Sequence, residues 1–444
     1  MSGELWFVAL VCCGLFLFGT WWAAAWTSRS EAGKSQEWKI GVLIAGGILV
    51  RGALALTTKG HGPDIGTFSA WAGHAADGLF SFYSPGYFAD YPPGYIYVLW
   101  LVGKLRLLLG LDFDTPAFLL LLKFPAILAD AATVWLLYCL AKRHWSNNAA
   151  VAVAALYAFN PAVVLNSAVW GQVDGCLALF ILLGVIFLER RPALSAVSFA
   201  IALLVKPQAL IFAPLPLLWF ADRILRRKQH AVAELLVFSG TAIATFCLGI
   251  LPFSINADPG WIITKYGATL ASYPYATLNA FNLFALTGGN FVPVDERLLF
   301  VPYALWGYIS IGLIVISAAL AVLKGKDLSR FWYVPLFLAV SVFTLSAKMH
   351  ERYLFPALAL TLGFTVISRD RWGLLLFAGF SVTQFLNALE VLAFSYKNIY
   401  VVPRFDPLLL AVSLANVLLW LLLVVAGYRR YIKRVAPELV SGDQ

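Results

Sequence analysis

The stretch from Pro92 to Gly110, PPGYIYVLWLVGKLRLLLG, decides how this chain is arranged across a membrane. It is apolar enough to resemble a span, and counting it as one would move every later loop to the opposite side. However, Gly103, Lys104 and Arg106 interrupt it, and the apolar part that remains is shorter than the roughly 20 residues a crossing helix needs. We therefore predict a helix that begins at the Pro92-Pro93 pair and lies at the interface, with its basic side chains in water.

The rest of the chain has the composition of a membrane protein. Of its 444 residues, 61% are hydrophobic and only 12% are charged, far from the usage of soluble domains. We predict an all-α, polytopic transmembrane bundle that forms a single membrane-embedded domain over residues 1–444. The predicted thirteen spans lie near residues 5–26, 40–57, 116–140, 149–168, 173–188, 192–206, 208–221, 233–252, 300–322, 331–346, 352–368, 372–393 and 407–427.

Basic residues fall in short blocks between these spans. With the thirteen spans above, every block lies on one face, which the positive-inside rule assigns to the cytoplasm, together with the C-terminus. This spacing explains the net charge of +9 without a nucleic-acid partner. The blocks are Arg29 to Lys39, Lys142 and Arg143, Arg190 and Arg191, Arg223 to Lys228, Lys324 to Arg330, Arg369 and Arg371, and Arg429 to Arg434.

The opposite face has two long loops, residues 58–115 and 253–299, rich in Gly, Pro and aromatic residues. This composition is typical of ordered interfacial loops, and we expect the two loops to cap one cavity. Residues 192–221 are expected to break at Lys206-Pro207, because proline removes a backbone donor. Backbone groups without a hydrogen bond inside the membrane are tolerated only where they face protein or a water-filled cavity. Lys206 is therefore predicted to border a cavity.

Several polar motifs map to this same face. Asp64 follows a Gly-Pro turn and could act as a general base, or it could be a solvated loop residue or a helix cap. Asp90-Tyr-Pro-Pro-Gly94 forms a rigid turn in which Asp90 and Tyr91 could contact a hydroxyl, although a structural cap is the simpler role. Trp170-Gly-Gln-Val-Asp174 combines an indole, an amide (Gln172) and a carboxylate, a set suited to sugars or, alternatively, to a helix start.

Two further motifs suggest phosphate binding. Lys206 and Gln208 occupy the membrane break, where an ionisable residue is functional by default unless a partner such as Asp174 makes it structural. Lys348, His350 and Arg352 offer three potential cations within five residues, which suits a phosphate, with headgroup anchoring as the alternative. Such a cavity, without nucleotide-binding glycine motifs, suggests a lipid-linked sugar phosphate as donor.

Three ionisable residues lie within the predicted spans themselves, and we expect them to be paired inside the protein. They are Arg51, Lys123 and Asp130, with Asp130 bound to Arg51 or to Lys123. The five cysteines have no metal-ligand spacing. We therefore expect neither zinc nor disulfide bonds.

Taken as an ordered set, these motifs resemble the GT-C class of integral-membrane glycosyltransferases. The resemblance covers about residues 40–400 and is closest to bacterial mannosyltransferases related to the enzyme that adds the second mannose of GPI. It is more distant to the dolichyl-phosphate-glucose-dependent glucosyltransferases. The matching segments are Asp64, Asp90-Tyr-Pro-Pro-Gly94, Trp170-Gly-Gln-Val-Asp174, Lys206-Pro-Gln208 and His350-Glu-Arg352.

This resemblance implies an inverting transfer of a hexose, mannose before glucose, from a polyprenyl-phosphate donor to a lipid-linked or cell-surface glycan acceptor. Asp64 would be the catalytic base, and Lys206, Lys348, His350 and Arg352 would hold the donor phosphate. Asp64 stands alone in its loop, so no metal and no other cofactor is expected. The expected location is a bacterial plasma membrane, with the active site extracytoplasmic and membrane lipids around it.

Two alternatives remain open at this point. The same cavity could serve a flippase or transporter of lipid-linked sugars, although the inner halves of the spans have few polar side chains. The chain could also be a non-catalytic subunit of a glycan assembly complex.

Overall fold

The computed structural model describes residues 3–26, 38–84, 86–255 and 257–433, which form a nearly all-α integral membrane protein. This confirms the predicted fold class. The first nine helices are α1 (Gly3–Trp26), α2 (Trp38–Thr57), α3 (Gly62–Asp77), α4 (Pro93–Leu108), α5 (Pro116–His144), α6 (Asn147–Ala158), α7 (Pro161–Val164), α8 (Asp174–Phe187) and α9 (Pro192–Val205). The others are α10 (Pro214–Leu225), α11 (Ala231–Ser254), α12 (Trp261–Ala271), α13 (Leu283–Leu286), α14 (Tyr303–Lys324), α15 (Arg330–Leu345), α16 (Pro356–Ser368), α17 (Trp372–Ser395) and α18 (Pro407–Gly427).

Shorter elements connect these helices. A π-helix, Leu165–Trp170, continues α7, and a second one, Tyr428–Ile432, continues α18, while 3₁₀ turns span Leu79–Ser81 and Pro207–Phe212. Strand β1 (Thr277–Leu278) pairs in parallel with β4 (Met349–His350), and β2 (Arg297–Leu298) pairs antiparallel with β3 (Val301–Pro302). The β1–β4 pair joins the second long loop to the segment that contains His350.

Within the described residues, eight helical segments are long and apolar enough to cross a membrane, or nine if the bent pair Asn147–Ala158 and Pro161–Trp170 is one span. A total of thirteen requires four shorter apolar helices, α8, α9, α15 and α16, to cross as well. The count of thirteen therefore stays a prediction. Helix α4 has 16 residues, and its position at the interface also stays a prediction.

The basic blocks meet at one end of the bundle. Arg226 and Arg330 both bind Asp222, at 2.6 and 2.8 Å, and Arg430 binds Asp327 at 2.7 Å. Arg430 also lies 3.7 Å from Asp370. The loops after α10, α14 and α16 are therefore neighbours of the end of α18, as the sequence predicts. Residues 29–37 of the first block and Arg434 of the last lie outside the described residues. Which side of the membrane this end faces stays a prediction.

The predicted break at Lys206 is confirmed. Helix α9 ends at Val205, Lys206 is extended with φ −149° and ψ 138°, and a 3₁₀ turn then leads from Pro207 into α10. Proline cannot donate the hydrogen bond that would continue α9, so the chain bends where its backbone is enclosed by protein. The Lys206 side chain is buried, with 1% of its surface exposed.

The ionisable residues inside the bundle are paired. Arg51 on α2 donates from Nε to Asp130 Oδ2 on α5 at 3.2 Å, and from a terminal nitrogen to the Ala158 carbonyl at 2.7 Å. Lys123 instead donates from Nζ to the Thr58 carbonyl at 2.7 Å. Of the two partners predicted for Asp130, the structure therefore selects Arg51.

The two long loops contact each other near Asp90. Thr269 Oγ1 donates to the Asp90 carbonyl at 3.1 Å, and Tyr273 OH donates to the Asp90 carboxylate at 3.3 Å. Lys265 on α12 donates to the Ala89 carbonyl. These contacts place α12 and the segment after it against the turn that precedes α4, and the capping of one cavity by the two loops stays a prediction.

Candidate functional site

The turn before α3 positions Asp64. Gly60 has φ +85°, and a Cβ added to it would lie 2.6 Å from the Trp170 carbonyl oxygen, so a side chain cannot be accommodated there. The His61 amide donates to that same carbonyl at 3.0 Å. Helix α3 then starts at Gly62-Pro63, which puts the Asp64 carboxylate in the first turn, where the positive end of the helix dipole stabilises it.

The end of the π-helix supplies the main partner of Asp64. The helix stops at Gly171, whose φ of +88° is left-handed. The Trp170 indole Nε1 donates to Asp64 Oδ2 at 2.6 Å. The His61 ring stacks on Trp170 with 4.7 Å between centroids, and its Nδ1 lies 3.1 Å from the same carboxylate oxygen. Asp64 is therefore held from two sides before any ligand arrives.

These contacts make Asp64 a weak base. Burial alone would raise the pKa of Asp64, but the Arg352 guanidinium at 3.9 Å and the hydrogen bonds from His61 and Trp170 outweigh it. They hold the pKa of this carboxyl well below its usual range. A carboxylate with so low a proton affinity is far from the near-neutral pKa that suits general-base catalysis.

Arg352 is shared between two carboxylates. One of its terminal nitrogens hydrogen-bonds Glu351 and lies 3.9 Å from Asp64. Glu351 is buried, and the backbone carbonyl of Glu351 accepts a 3.0 Å bond from Gln384 on α17. Because two carboxylates surround one guanidinium, this positive charge is already neutralised by the protein.

A second polar cluster lies next to the first. Lys206 Nζ donates to Asp174 Oδ1 at 2.6 Å and to Gln172 Oε1 at 3.1 Å. The same Gln172 oxygen accepts from Tyr91 OH at 3.3 Å, and Asn166 donates to the other Asp174 oxygen at 3.0 Å. Lys206 is thus paired with Asp174, which is the structural alternative that the sequence left open. The amide nitrogen of Gln172 is buried and has no hydrogen-bond partner within the described residues.

A cavity of about 400 Å³ opens beside these clusters. Gln208 and Tyr353 form its polar inner wall, with the Gln208 amide donating to Tyr353 OH at 2.6 Å. The Gln208 Oε1 atom is buried and has no hydrogen-bond partner among the described residues. The outer walls are apolar and come from the Pro207–Phe212 turn, α14 and α15, including Leu210, Ile211, Ala304, Gly307, Ile311 and Val342.

The contacts of Lys348, His350 and Arg352 reduce the positive charge of the predicted phosphate cluster, whose role in binding phosphate stays a prediction. Burial, followed by the nearby Arg352, lowers the pKa of His350 to about 3, so its imidazole is neutral at physiological pH. Lys348 Nζ donates to the Leu270 carbonyl at 3.0 Å, and Arg352 is paired as described above. Lys348 and His350 line the cavity, but the three residues do not form an unpaired triple cation.

Asp90 lies at the rim, where Tyr273 donates to it. Burial raises the pKa of Asp90, and the Tyr273 hydrogen bond offsets this only in part. The Tyr273 ring in turn meets His350 edge-on, with 5.2 Å between centroids. Asp90 therefore joins the two long loops, in agreement with the structural role suggested by its rigid turn.

Several residues of the site were not singled out from the sequence. His61, Asn166 and Tyr353 bind predicted site residues directly, and Gln384 binds the backbone carbonyl of Glu351, the neighbour of two of them. His61 precedes Asp64 by three residues and Tyr353 follows Arg352, so their closeness in sequence to a motif could have identified these two as site residues. Asn166 and Gln384 lie inside apolar helices and give no comparable signal. No group of three or more His, Cys, Asp or Glu side chains arranged to hold a metal occurs among the described residues.

Comparison with known proteins changes the interpretation of this site. The family model described as GPI transamidase subunit PIG-U matches residues 75–279, a segment that contains Asp90, the Trp170 to Asp174 motif and Lys206-Pro-Gln208. No curated protein matches the chain. PIG-U is not a glycosyltransferase family, so the predicted GT-C mannosyltransferase identity, the sugar-transfer activity and the polyprenyl-phosphate sugar donor are wrong. The chain is therefore similar, over slightly less than half its length, to the family described as GPI transamidase subunit PIG-U.

Proposed function

We propose that this chain is a non-catalytic membrane subunit of a complex that acts on a membrane-anchored glycolipid. Its own role would be to hold the glycolipid headgroup. The similarity of residues 75–279 to a GPI transamidase subunit supports membership of such a complex. The observation on which the binding role rests is the polar wall of Gln208 and Tyr353, which faces a cavity with apolar outer walls.

The internal pairing of the charges supports binding over catalysis. Asp64 is held by Trp170, His61 and Arg352, and Lys206 is held by Asp174. Groups locked in such pairs keep their protonation state and fix the geometry of their neighbours, which suits recognition. Gln208 lines the cavity, and its buried Oε1 atom, which has no hydrogen-bond partner among the described residues, is a natural acceptor for a ligand hydroxyl.

The shape of the cavity supports a lipid ligand. Its lining combines the aromatic and amide side chains of Tyr273, His350, Tyr353 and Gln208 with apolar residues of the Pro207–Phe212 turn, α14 and α15. Amides match the hydroxyl edges of a sugar and rings cover its apolar face, while an alkyl chain would lie along α14 and α15. The volume of about 400 Å³ falls within the usual range of small-ligand pockets.

Native mass spectrometry of the purified chain tests the binding role. The probes are glycosylphosphatidylinositol and phosphatidylinositol with the same acyl chains, so that only the glycan differs. We expect retention of the glycolipid over the plain lipid, and about a tenfold loss of that preference in Gln208→Leu, because one hydrogen bond to a buried group is removed. Gln229→Leu, the same change at an exposed position in the loop before α11, is the matched control.

Membership of a complex is tested separately. The tagged chain, cross-linked in its native membrane, should be recovered with membrane proteins at fixed stoichiometry, and the wild-type preference for the glycolipid should persist in that assembly. Equal retention of both lipids would overturn the binding role. Recovery of the chain only as a monomer, transfer of sugar by the isolated chain, or movement of the glycolipid across liposomes would overturn the subunit role.

A further inference from the structure

A second polar cavity lies at the other end of the bundle, among the basic blocks. It has a volume of about 470 Å³ and is lined by the ends of α5 and α8 and the residues after α8. Leu136, Cys139, Leu140, Ile186 and Phe187 form its apolar surface, and Arg143, Arg190 and Arg191 supply its charge. It shares no lining residue with the cavity beside Gln208.

The three arginines differ from four others at this end of the bundle, which are held in ion pairs. Arg223, Arg226, Arg330 and Arg430 are bound by Glu234, Asp222 and Asp327. By contrast, Arg143, Arg190 and Arg191 are exposed and have no ion pair within the described residues. Glu189, the nearest carboxylate in sequence, is also exposed and forms no ion pair with them there. The cavity therefore has an excess of positive charge.

We propose that this cavity binds the headgroup of an anionic phospholipid. Guanidinium groups pair with phosphate oxygens through two parallel hydrogen bonds, and three of them surround one opening. The apolar side chains of α5 and α8 that line the same cavity would contact the upper part of the acyl chains. Basic pockets between transmembrane helices are a recurring mode of lipid headgroup recognition.

An anionic lipid is favoured over a free phosphate because the charge and the apolar surface occur together. A soluble phosphate would use only the arginines and leave five apolar side chains of the cavity in water, whereas a phospholipid covers both surfaces. A zwitterionic lipid would bring a positive group among three guanidinium groups. An anionic lipid should therefore bind more tightly than either a soluble phosphate or a zwitterionic lipid.

The test is native mass spectrometry of the purified full-length chain with phosphatidylglycerol, phosphatidylcholine of the same acyl chains, and soluble glycerol phosphate. We expect phosphatidylglycerol to bind preferentially. Arg190→Ala with Arg191→Ala should weaken its binding about 30-fold, from roughly fivefold for each basic residue near a membrane surface. Arg371→Ala with Arg429→Ala removes the same charge at exposed positions outside the cavity and should have little effect.

Three results would overturn the proposal. They are equal binding of the two lipids, an equal loss in both double variants, or competition by glycerol phosphate at the concentration at which the lipid binds. Retention of the glycolipid by the Arg190→Ala, Arg191→Ala protein serves as the check on folding, because the Gln208 cavity is separate.

Discussion

The Trp170 indole donates a 2.6 Å hydrogen bond to the Asp64 carboxylate, although 106 residues separate the two in the chain. This bond connects the turn before α3 with the end of the π-helix, and it orients the carboxylate toward Arg352. The same bond lowers the proton affinity of Asp64. It therefore serves both the architecture and the electrostatics of the site.

Trp170→Phe keeps a ring but removes the donor, so a buried carboxylate loses one of its partners. We expect a loss in the free energy of unfolding of about 1.5–3 kcal/mol, the range for hydrogen bonds to charged groups. Thermal unfolding in detergent measures it. Trp219→Phe removes the same volume from a buried tryptophan whose indole nitrogen has no hydrogen bond within the described residues. Equal destabilisation of the two variants would contradict this account.

Stability should depend on pH through His350. Burial and Arg352 lower its pKa from 6.5 to about 3, so the folded protein binds fewer protons than the unfolded chain between these values. The stability that this provides is complete above about pH 6.5 and is lost as the pH falls toward 3. In His350→Gln, the decrease in melting temperature between pH 7 and pH 5 should be smaller than in the wild type. Parallel pH profiles would show that His350 does not contribute.

The left-handed turn at Gly171 should not tolerate a side chain. A Cβ there would lie 2.6 Å from Ile65 Cδ1, in addition to the cost of φ +88°. Gly260, with φ +78° and nothing within 4 Å of an added Cβ, gives the matched control. We expect Gly260→Ala to lose about 1 kcal/mol of stability and Gly171→Ala to lose clearly more. The claim fails if the two variants melt at the same temperature.

The Arg51 and Asp130 pair offers a test of buried charge. Arg51→Met leaves the Asp130 carboxylate without its cation and should cost about 3–5 kcal/mol, while Arg51→Met with Asp130→Leu should recover most of the loss. Unfolding of both variants in the same detergent gives the comparison. If the double variant is as unstable as the single one, the lost charge balance is not the cause.

The sequence was sufficient to predict the helical membrane fold, the break at Lys206 and the pairing of Asp130. Each of these follows from local rules, namely apolar length, the missing proline donor and the cost of a buried charge. The span count was harder, because α8, α9, α15 and α16 are shorter than a full crossing.

The sugar-transfer activity was predicted wrongly, whereas the PIG-U match favours the alternative prediction of a non-catalytic subunit, and the error has a physical reason. Carboxylate, amide, aromatic and basic side chains are needed by any protein that holds a polar lipid headgroup, whether or not it performs chemistry. A binding site and a catalytic site built from these residues differ in whether the charged side chains are free or paired with each other. This pairing depends on contacts such as those of Arg352 with both Asp64 and Glu351. The burial that keeps His350 neutral is equally invisible in the sequence.

The position of Arg352 late in the chain also matters during biosynthesis. During translation, Asp64 and Trp170 are synthesised long before Arg352 and the β4 strand that pairs with β1. Until then the Asp64 carboxylate has its indole partner but no guanidinium beside it. The charge of the Asp64 carboxylate can therefore be balanced only after synthesis has passed residue 352 of 444, late in the making of the chain.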